Sequence, residues 1–330
     1  ALAVNPARGE LTLVGTDAFN EIRFEPVLNG RFLRSQFARV DIGDLATRGV
    51  SDLNTHLSYQ QRIIPQEARD RSIGDPRAIA WSSDGRRGYV AGMGSDNVIV
   101  INASGARSGV PIEVGQGPAG LALDEARNLL YVWNHFEASL STVDLAAEDG
   151  PVERSRLASF DPLPAAIRAG RPFLYDTHRT SGLGHLSCAS CHVDGRMDRL
   201  AWDLGDPGGE MKVFNQNCVT DIDPRTPCED FHPMKGPMMT QTLQDIIGHE
   251  PFHWRGDRDG IEEFNGAVTG LLADDVALTT EEMQAFEDFL ATMRFQPNPF
   301  RNFDNSLPAA LELEGHFTTG RFGPPGQPLG

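Results

Sequence analysis

A repeat of 42 residues is the feature that most limits how this chain can fold. The stretch "IAWSSDGRRGYVA" from Ile79 aligns with "LALDEARNLLYVW" from Leu121, and "LAVNPARGELTLV" from Leu2 has the same form. Each stretch has two apolar runs separated by polar turn residues. A period of about 40 to 45 residues with short strands is typical of a four-stranded propeller blade. The sequence therefore predicts about three propeller blades within residues 1–160.

The first repeat lies farther from the second than one blade requires, since Ala3 and Ala80 are 77 residues apart. We place the roughly 35 extra residues in an insertion near residues 23–65. A propeller ring has at least about four blades, so three blades do not close one. We therefore expect the missing blades to come from chain before Ala1 or from another subunit.

From about Pro164 the apolar spacing becomes that of helices. The segments "PAAIRAGRPFLYD", "IEEFNGAVTGLL" and "TTEEMQAFEDFLATMRF" each place apolar residues on one helix face, and the last begins with a Thr279–Glu282 capping box. These patterns predict an α-helical domain over residues 164–296 and an extended tail or linker over residues 297–330. The predicted fold is multidomain, β plus α, with a partial β-propeller followed by an α-helical domain.

The stretch "LSCASCHVDGR" carries the clearest chemical signal in the helical half. Cys188 and Cys191 enclose two small residues, and His192 follows directly. In the attachment motif of c-type haem, two thiols form thioethers to the porphyrin and the adjacent imidazole becomes an axial iron ligand. A thioredoxin-like dithiol, half of a zinc site and a disulfide are the alternatives, although neither a βαβ context nor a matching second ligand pair is evident. Cys218 and Cys228 suit a loop-closing disulfide.

Two resemblances support this division of the chain. The segments "SSDGRRGYVAGMGSDNVIVIN" and "DEARNLLYVWNHFEASLSTVDL" resemble the blades of YVTN-type propellers. The segments "AGRPFLYD", "SGLGHLSCASCH", "TLQDIIGHEPFHWRGD" and "TTEEMQAFEDFLATM" resemble the cytochrome c domains of the di-haem cytochrome c peroxidase family over residues 164–295. This resemblance implies Cys188 and Cys191 as haem attachment sites and His192 as the proximal ligand. The chain departs from that family in having one CxxCH motif instead of two, and in lacking a counterpart of its later methionine.

Met238 is our first candidate for the second iron ligand, followed by Met239. Both lie in "FHPMKGPMMTQ", a Pro- and Gly-rich loop with three methionines. A thioether raises the iron potential, so Met238 opposite His192 predicts a one-electron carrier. The methionines alternatively line the pocket as gap fillers. His253 is the main competing ligand, and Arg255 is a candidate partner of a haem propionate because guanidinium binds carboxylate in a fork.

The charge balance limits the classes of partner. The chain has 46 acidic and 29 basic residues and a formal net charge of −17, which disfavours nucleic acid and anionic lipid and favours a basic partner. No apolar run of about eighteen residues occurs, so we expect no membrane span. The acidic stretches "DRDG" at 257–260 and "DIDP" at 221–224 hint only weakly at calcium, because neither completes the spaced oxygen-ligand pattern.

The sequence thus predicts a c-type cytochrome with one covalent haem that transfers electrons to a redox partner protein. The propeller serves as scaffold or docking surface, and no catalytic residue is predicted. Thioether attachment and a disulfide together predict the periplasm or the cell exterior. One alternative is a peroxidase-like haem oxidoreductase with an open distal face. The other is a propeller-based binding or assembly module.

Overall fold

The computed structural model describes residues 1–146, 152–156, 163–213, 230–302, 304, 306–307 and 324–326. Residues 1–293 form one compact unit and residues 294–330 form a second. The division of the first unit into two domains that meet near residue 160 stays a prediction. Within the described residues, no helix combines the length and the apolar character needed to cross a bilayer.

Three four-stranded antiparallel sheets make up the first half of the chain. The first contains β1 (Leu2–Asn5), β2 (Glu10–Ala18), β3 (Leu33–Asp41) and β4 (Thr47–Asp52). The second contains β5 (Pro76–Trp81), β6 (Arg87–Gly92), β7 (Asn97–Asn102) and β8 (Arg107–Glu113). The third contains β9 (Pro118–Asp124), β10 (Leu129–Asn134), β11 (Ser139–Asp144) and β12 (Val152–Arg156). In each sheet the strands pair in chain order, which is the meander of a propeller blade. The prediction of propeller repeats is confirmed.

The blades pack face to face through the alternating apolar residues of their strands. Between the first two blades, Val14 and Phe37 pack against Ile99 and Ile101, and all four side chains are buried. The opposite face of the second blade packs in the same way, with Val98 against residues of the third blade that include Leu130 and Val132. Because side chains alternate along a strand, the second blade is apolar on both faces. Full burial of one such side chain contributes about 1.5–3 kcal/mol.

The extra residues of the first repeat lie in two places instead of one. Strands β3 and β4 fall inside the range 23–65 that the repeat comparison treats as an insertion. The added chain is residues 19–32, which contain α1 (Glu25–Leu28), and residues 53–75, which contain α2 (Gln66–Arg69). The sequence repeat does not reveal β3 and β4, because residues 19–32 interrupt the strand pattern of this blade after Ala18.

The helices of the second half follow the predicted segments in part. They are α3 (Ala165–Tyr175), α4 (Thr177–Thr180), α5 (Asn265–Gly270) and α6 (Thr280–Leu290), with 3₁₀ turns at Cys188–Ser190, Val193–Gly195 and Ile261–Phe264. The segment expected as one helix from Ile261 is thus a 3₁₀ turn followed by a short α-helix. The capping box is confirmed, since Glu282 N donates to Thr279 Oγ1 at 3.2 Å and Thr279 N donates to Glu282 Oε2 at 2.8 Å. A two-stranded sheet pairs β13 (Ala201–Trp202) with β14 (Met238–Met239).

Helices α3 and α6 pack closely at Gly170. A Cβ atom at this position would lie 1.9 Å from the backbone oxygen of Ala285 and 2.4 Å from Cβ of Phe289. Only glycine permits this approach. The packing joins two helices that are more than a hundred residues apart and places their apolar faces around the turn at Cys188.

The helical half also makes direct contact with the blades. Thr177 N donates to the backbone oxygen of Gly94 at 2.7 Å, and Arg77 Nη2 donates to Asp194 Oδ1 at 3.0 Å. Arg171 stacks over the ring of Phe136. The second and third blades therefore contact the chain on either side of the CxxCH motif.

Candidate functional site

The CxxCH motif forms one compact turn. Cys191 N donates to the backbone oxygen of Cys188 at 3.3 Å, and His192 N donates to the same oxygen at 2.9 Å. Ser187 and Ser190 cap the turn reciprocally, with Ser187 N donating to Ser190 Oγ at 3.0 Å. These bonds place Cys188, Cys191 and His192 in one turn. That the three residues hold one cofactor stays a prediction.

Both thiols lie in apolar surroundings. Cys188 is partly buried between the cluster that contains Leu290 and the cluster that contains Leu28, and Cys191 packs against the second of these clusters. Burial raises the pKa of Cys188 to about 11. Burial first, and then the negative charges of Asp198 and Cys188, raise the pKa of Cys191 above its usual range. In the absence of a bound group both sulfurs are therefore neutral thiols at pH 7, unlike the thiolate of a reactive dithiol.

His192 is held by a backbone acceptor. Its Nδ1 atom lies 2.8 Å from the carbonyl oxygen of Gln241, so Nδ1 carries the proton and donates it. Burial lowers the pKa of His192, against the opposing effect of the Gln241 carbonyl, which keeps the ring neutral at pH 7. The lone pair is then on Nε2. A buried imidazole with this tautomer fixed by a backbone oxygen is a suitable metal ligand.

One wall around the motif comes from the first blade. Leu28, Phe32 and Leu33 are fully buried and pack with Trp202 in the cluster that Cys191 contacts. The rings of Phe32 and Trp202 meet edge to face, with centroids 5.3 Å apart. The sequence indicated extra residues here but not their role, because a contact across about 170 residues has no local pattern.

His253 belongs to a second polar group near the motif. Its Nδ1 atom lies 2.8 Å from Oδ1 of Asp257, and Arg255 Nη2 donates to Oδ2 of the same carboxylate at 3.3 Å. Burial alone would raise the pKa of Asp257, but the hydrogen bond from His253 and the charges of Arg258 and Arg255 outweigh it and lower that pKa. An electrostatic interaction with His253 also contributes to lowering the pKa of His192, so the two rings lie within electrostatic range.

The predicted methionine ligands lie on β14. Met238 pairs with Trp202 and Met239 pairs with Ala201. Met239 is 49% exposed, and its backbone oxygen accepts a hydrogen bond from Trp254 Nε1 at 2.9 Å. Apart from its bond to Asp257, Arg255 lies over the ring of Phe231 at 4.2 Å. Its pairing with a haem propionate stays a prediction.

The predicted Cys218–Cys228 disulfide and the acidic stretch at 221–224 lie outside the described residues. Among the residues that the structure does describe, no group of three or more His, Cys, Asp or Glu side chains is arranged to hold a metal ion. The acidic stretch at 257–260 is among these described residues, so it is not part of such a group.

A cavity of about 740 Å³ lies away from the motif. Its lining includes Arg69, His178, Asp274 and Glu282 but none of the three motif residues. Arg69 is paired with Asp274 at 2.8 Å, and His178 Nε2 lies 3.0 Å from the backbone oxygen of Ser72. Arg69 and His178 are therefore both engaged, and the motif, with its cysteine pair and adjacent histidine, remains the candidate cofactor site.

No protein family model matches the chain, and no curated protein matches it. Among solved structures, hydrazine synthase of Kuenenia stuttgartiensis is similar at 12% identity and a TM-score of 0.29, over 48% of this chain and 45% of that one. A streptogramin B lyase is similar at 14% identity and a TM-score of 0.28, over 51% and 41%. The Swd1 β-propeller domain of Myceliophteria thermophila is similar at 17% identity and a TM-score of 0.26, over 37% and 40%.

The matched part spans less than half the length of each of these proteins. TM-scores this low say nothing about the activity, substrate or cofactor of the present chain. The assignment of blades depends on the strand order described above.

Proposed function

We propose that this protein is a c-type cytochrome that carries one covalent haem and transfers single electrons. Cys188 and Cys191 provide the thioether sulfurs, and His192 provides the proximal ligand. The observation that supports this most strongly is the hydrogen-bonded turn at 188–192, which contains both cysteines and a histidine whose Nδ1 is bonded to Gln241 O. This donor set fits haem c, whose attachment uses two cysteines and an adjacent histidine.

The haem, when bound, supplies the one-electron chemistry. The residues of this chain orient and shield it. Gln241 fixes the His192 tautomer, Leu28 and Phe32 from the first blade exclude water on one side, and Leu290 of α6 belongs to the apolar cluster on the other. Since low water access and axial ligation set the iron potential, the blades take part in tuning the electron carrier.

The cellular setting follows from this chemistry. Covalent haem attachment, with a disulfide between Cys218 and Cys228, supports a location in the periplasm or outside the cell. A net charge of −17 favours a basic redox partner, because opposite charges raise the rate of encounter. Association with that partner is therefore expected to weaken as salt increases.

Intact mass and pyridine haemochrome spectra of native material test the proposal. We expect a mass increase of one haem per chain and a c-type haemochrome. The double variant Cys188→Ala/Cys191→Ala should lose covalent haem, whereas Cys218→Ala, a cysteine outside the motif, should keep it. A colourless protein with a zinc ion or an internal disulfide at Cys188 and Cys191 would contradict the proposal.

The outer face of the first blade favours a second role for the propeller, as a surface that binds a further blade. This face consists of residues directly paired across four strands: Leu2, Val4, Leu11, Leu13, Ala38, Val40 and Val50. Leu2, Val4 and Val50 are more than half exposed. The inner face of the same sheet packs against the second blade through similar apolar side chains. We therefore propose that a further four-stranded blade covers the outer face in the native protein.

Lysine substitutions test this second proposal. Leu2→Lys and Val50→Lys should lower the thermal unfolding midpoint of the native protein by several degrees, because a covered face would bury the charge. Leu45→Lys in an exposed turn, 73% accessible, is the matched control. If all three variants unfold at the same temperature, no blade covers this face.

A further inference from the structure

His253 adopts a backbone conformation that few side chains tolerate. Its φ is +67°, in the left-handed region, where a non-glycine residue costs of order 1 kcal/mol or more. The loop holds it there through two backbone bonds, from Phe252 N to Arg258 O at 2.7 Å and from Gly256 N to His253 O at 3.2 Å. These bonds fix the backbone from which the imidazole projects.

The ring of His253 is oriented by a buried carboxylate. Asp257 has 2% of its side chain exposed and accepts from His253 Nδ1 at 2.8 Å. Arg255 and Arg258 lie 3.3 and 3.8 Å from the other carboxylate oxygen and keep Asp257 ionised. Nδ1 therefore donates to the carboxylate, which leaves Nε2 as the ring nitrogen available to a ligand. A carboxylate that accepts from the far nitrogen of a histidine is the usual support of a metal-ligating imidazole.

His253 also lies beside the apolar surroundings of the motif. Its ring meets that of Phe264 edge to face, with centroids 4.8 Å apart. Phe264 packs against the apolar cluster that Cys188 also contacts. His253 and His192 lie within electrostatic range of each other, and both keep Nδ1 occupied by an oxygen acceptor.

The strand that contains Met238 is tied to the segments of both histidines. Gln241 O accepts from His192 Nδ1 at 2.8 Å, and Trp254 Nε1, next to His253, donates to Met239 O at 2.9 Å. The backbone of Met238 is held by its pairing with Trp202. The carboxylate of Asp257, which orients a potential ligand ring, is at His253.

From this geometry we infer that Nε2 of His253 is the second axial ligand of the haem. Asp257 is the positioning residue of that ligand. This inference rests on the proposed function. It predicts a low-spin iron with two imidazole ligands, and a lower potential than a histidine–methionine pair would give.

Optical and near-infrared magnetic circular dichroism spectra of the purified ferric protein test the inference. We expect low-spin bands of bis-imidazole ligation without the weak sulfur-to-iron band at the red end of the visible spectrum. His253→Ala should become high-spin, and added imidazole should restore the low-spin spectrum. Met238→Leu and His249→Ala should leave the spectrum unchanged; the side chain of His249 is 70% exposed on the chain segment that precedes the loop.

Asp257→Asn distinguishes a residue that positions the ligand from one that only stabilises the loop, because only the first should affect the midpoint potential. The amide can still accept from Nδ1 but lacks the charge that makes the imidazole more electron-donating. We expect the midpoint potential to rise while the iron remains low-spin, and no such rise in His249→Ala.

One outcome would overturn the ligand inference alone, and another would overturn the proposed function. A red-end sulfur band in the unaltered protein, lost in Met238→Leu, would overturn the inference and leave the proposed haem in place. Absence of a haemochrome in the unaltered protein would instead overturn the proposed function. If His253→Ala does not accumulate, the spectra of the unaltered protein and of Met238→Leu decide the ligand.

Discussion

The imidazole of His192 and the backbone oxygen of Gln241 are joined by a hydrogen bond of 2.8 Å. The acceptor is a main-chain atom, so its position depends on how the strand around it is held. Leu243 N donates to Gly195 O at 2.9 Å and Thr240 N donates to Leu200 O at 3.3 Å, which fixes the strand on both sides of Gln241. The tautomer of the motif histidine is therefore set by the fold and not by a neighbouring side chain.

Phe32→Ala should destabilise the protein through the wall that the first blade supplies to the motif. Phe32 is 1% exposed and meets Trp202 at 5.3 Å, so its removal leaves a cavity and costs about 3–5 kcal/mol. Urea unfolding of both proteins measures the loss. Val27→Ala in the same inserted segment removes a side chain that is 46% exposed and should change stability by less than about 1 kcal/mol. Equal losses in the two variants would show that the wall is not closely packed.

Gly170→Ala should disrupt the contact between α3 and α6. The added Cβ would lie 1.9 Å from Ala285 O, so the helices must separate, at a cost of about 1–3 kcal/mol or more. Gly266→Ala is the matched control, because this glycine is also helical and a Cβ there would meet nothing within 4 Å. The control should be neutral or stabilising by up to about 1 kcal/mol. Chemical denaturation distinguishes the two, and a neutral Gly170→Ala would show that the helices are farther apart.

Features with a local physical cause were predictable from the sequence. The Thr279–Glu282 capping box and the blades from Pro76 onward depend on residues a few positions apart, and the structure has both. The contact of Phe32 with Trp202 was not predictable, because it joins distant segments. The His253–Asp257 bond joins residues only four positions apart, but the sequence does not predict it. The bond depends on a left-handed backbone conformation at His253, which a histidine adopts only rarely.

Arg69→Met should be far more damaging than the loss of a surface ion pair. Arg69 is 6% exposed and binds Asp274, which is 5% exposed, at 2.8 Å. Removing the guanidinium leaves a buried carboxylate unpaired, at a cost of about 3–5 kcal/mol. Arg8→Met breaks a surface contact of 3.9 Å to Glu10 and should cost less than about 1 kcal/mol.

The double variant Arg69→Met/Asp274→Asn provides the internal check on that prediction. Without the charge on residue 274 most of the penalty should disappear, and thermal unfolding at neutral pH measures the recovery. No recovery in the double variant would assign the loss to packing of the arginine stem instead of to the unpaired charge.

Asp96→Asn should change how stability depends on pH. Burial raises the pKa of Asp96 to about 7 and outweighs the hydrogen bond from Gly117 N, which is 2.8 Å long. The folded state therefore keeps a proton on Asp96 that the unfolded state loses above about pH 4. The favourable contribution of this group is complete below pH 4, falls as the pH rises to 7, and is absent above it. The asparagine keeps the acceptor for Gly117 N without the charge. We expect Asp96→Asn to be more stable than the unaltered protein above pH 7, by on the order of 3 kcal/mol, with the difference vanishing toward pH 4. Urea unfolding between pH 4 and 8 measures this difference in stability.

Asp17→Asn, at an exposed position in β2, is the control and should give a stability curve parallel to that of the unaltered protein. The same parallel result for Asp96→Asn would mean that Asp96 is ionised at neutral pH in the folded protein.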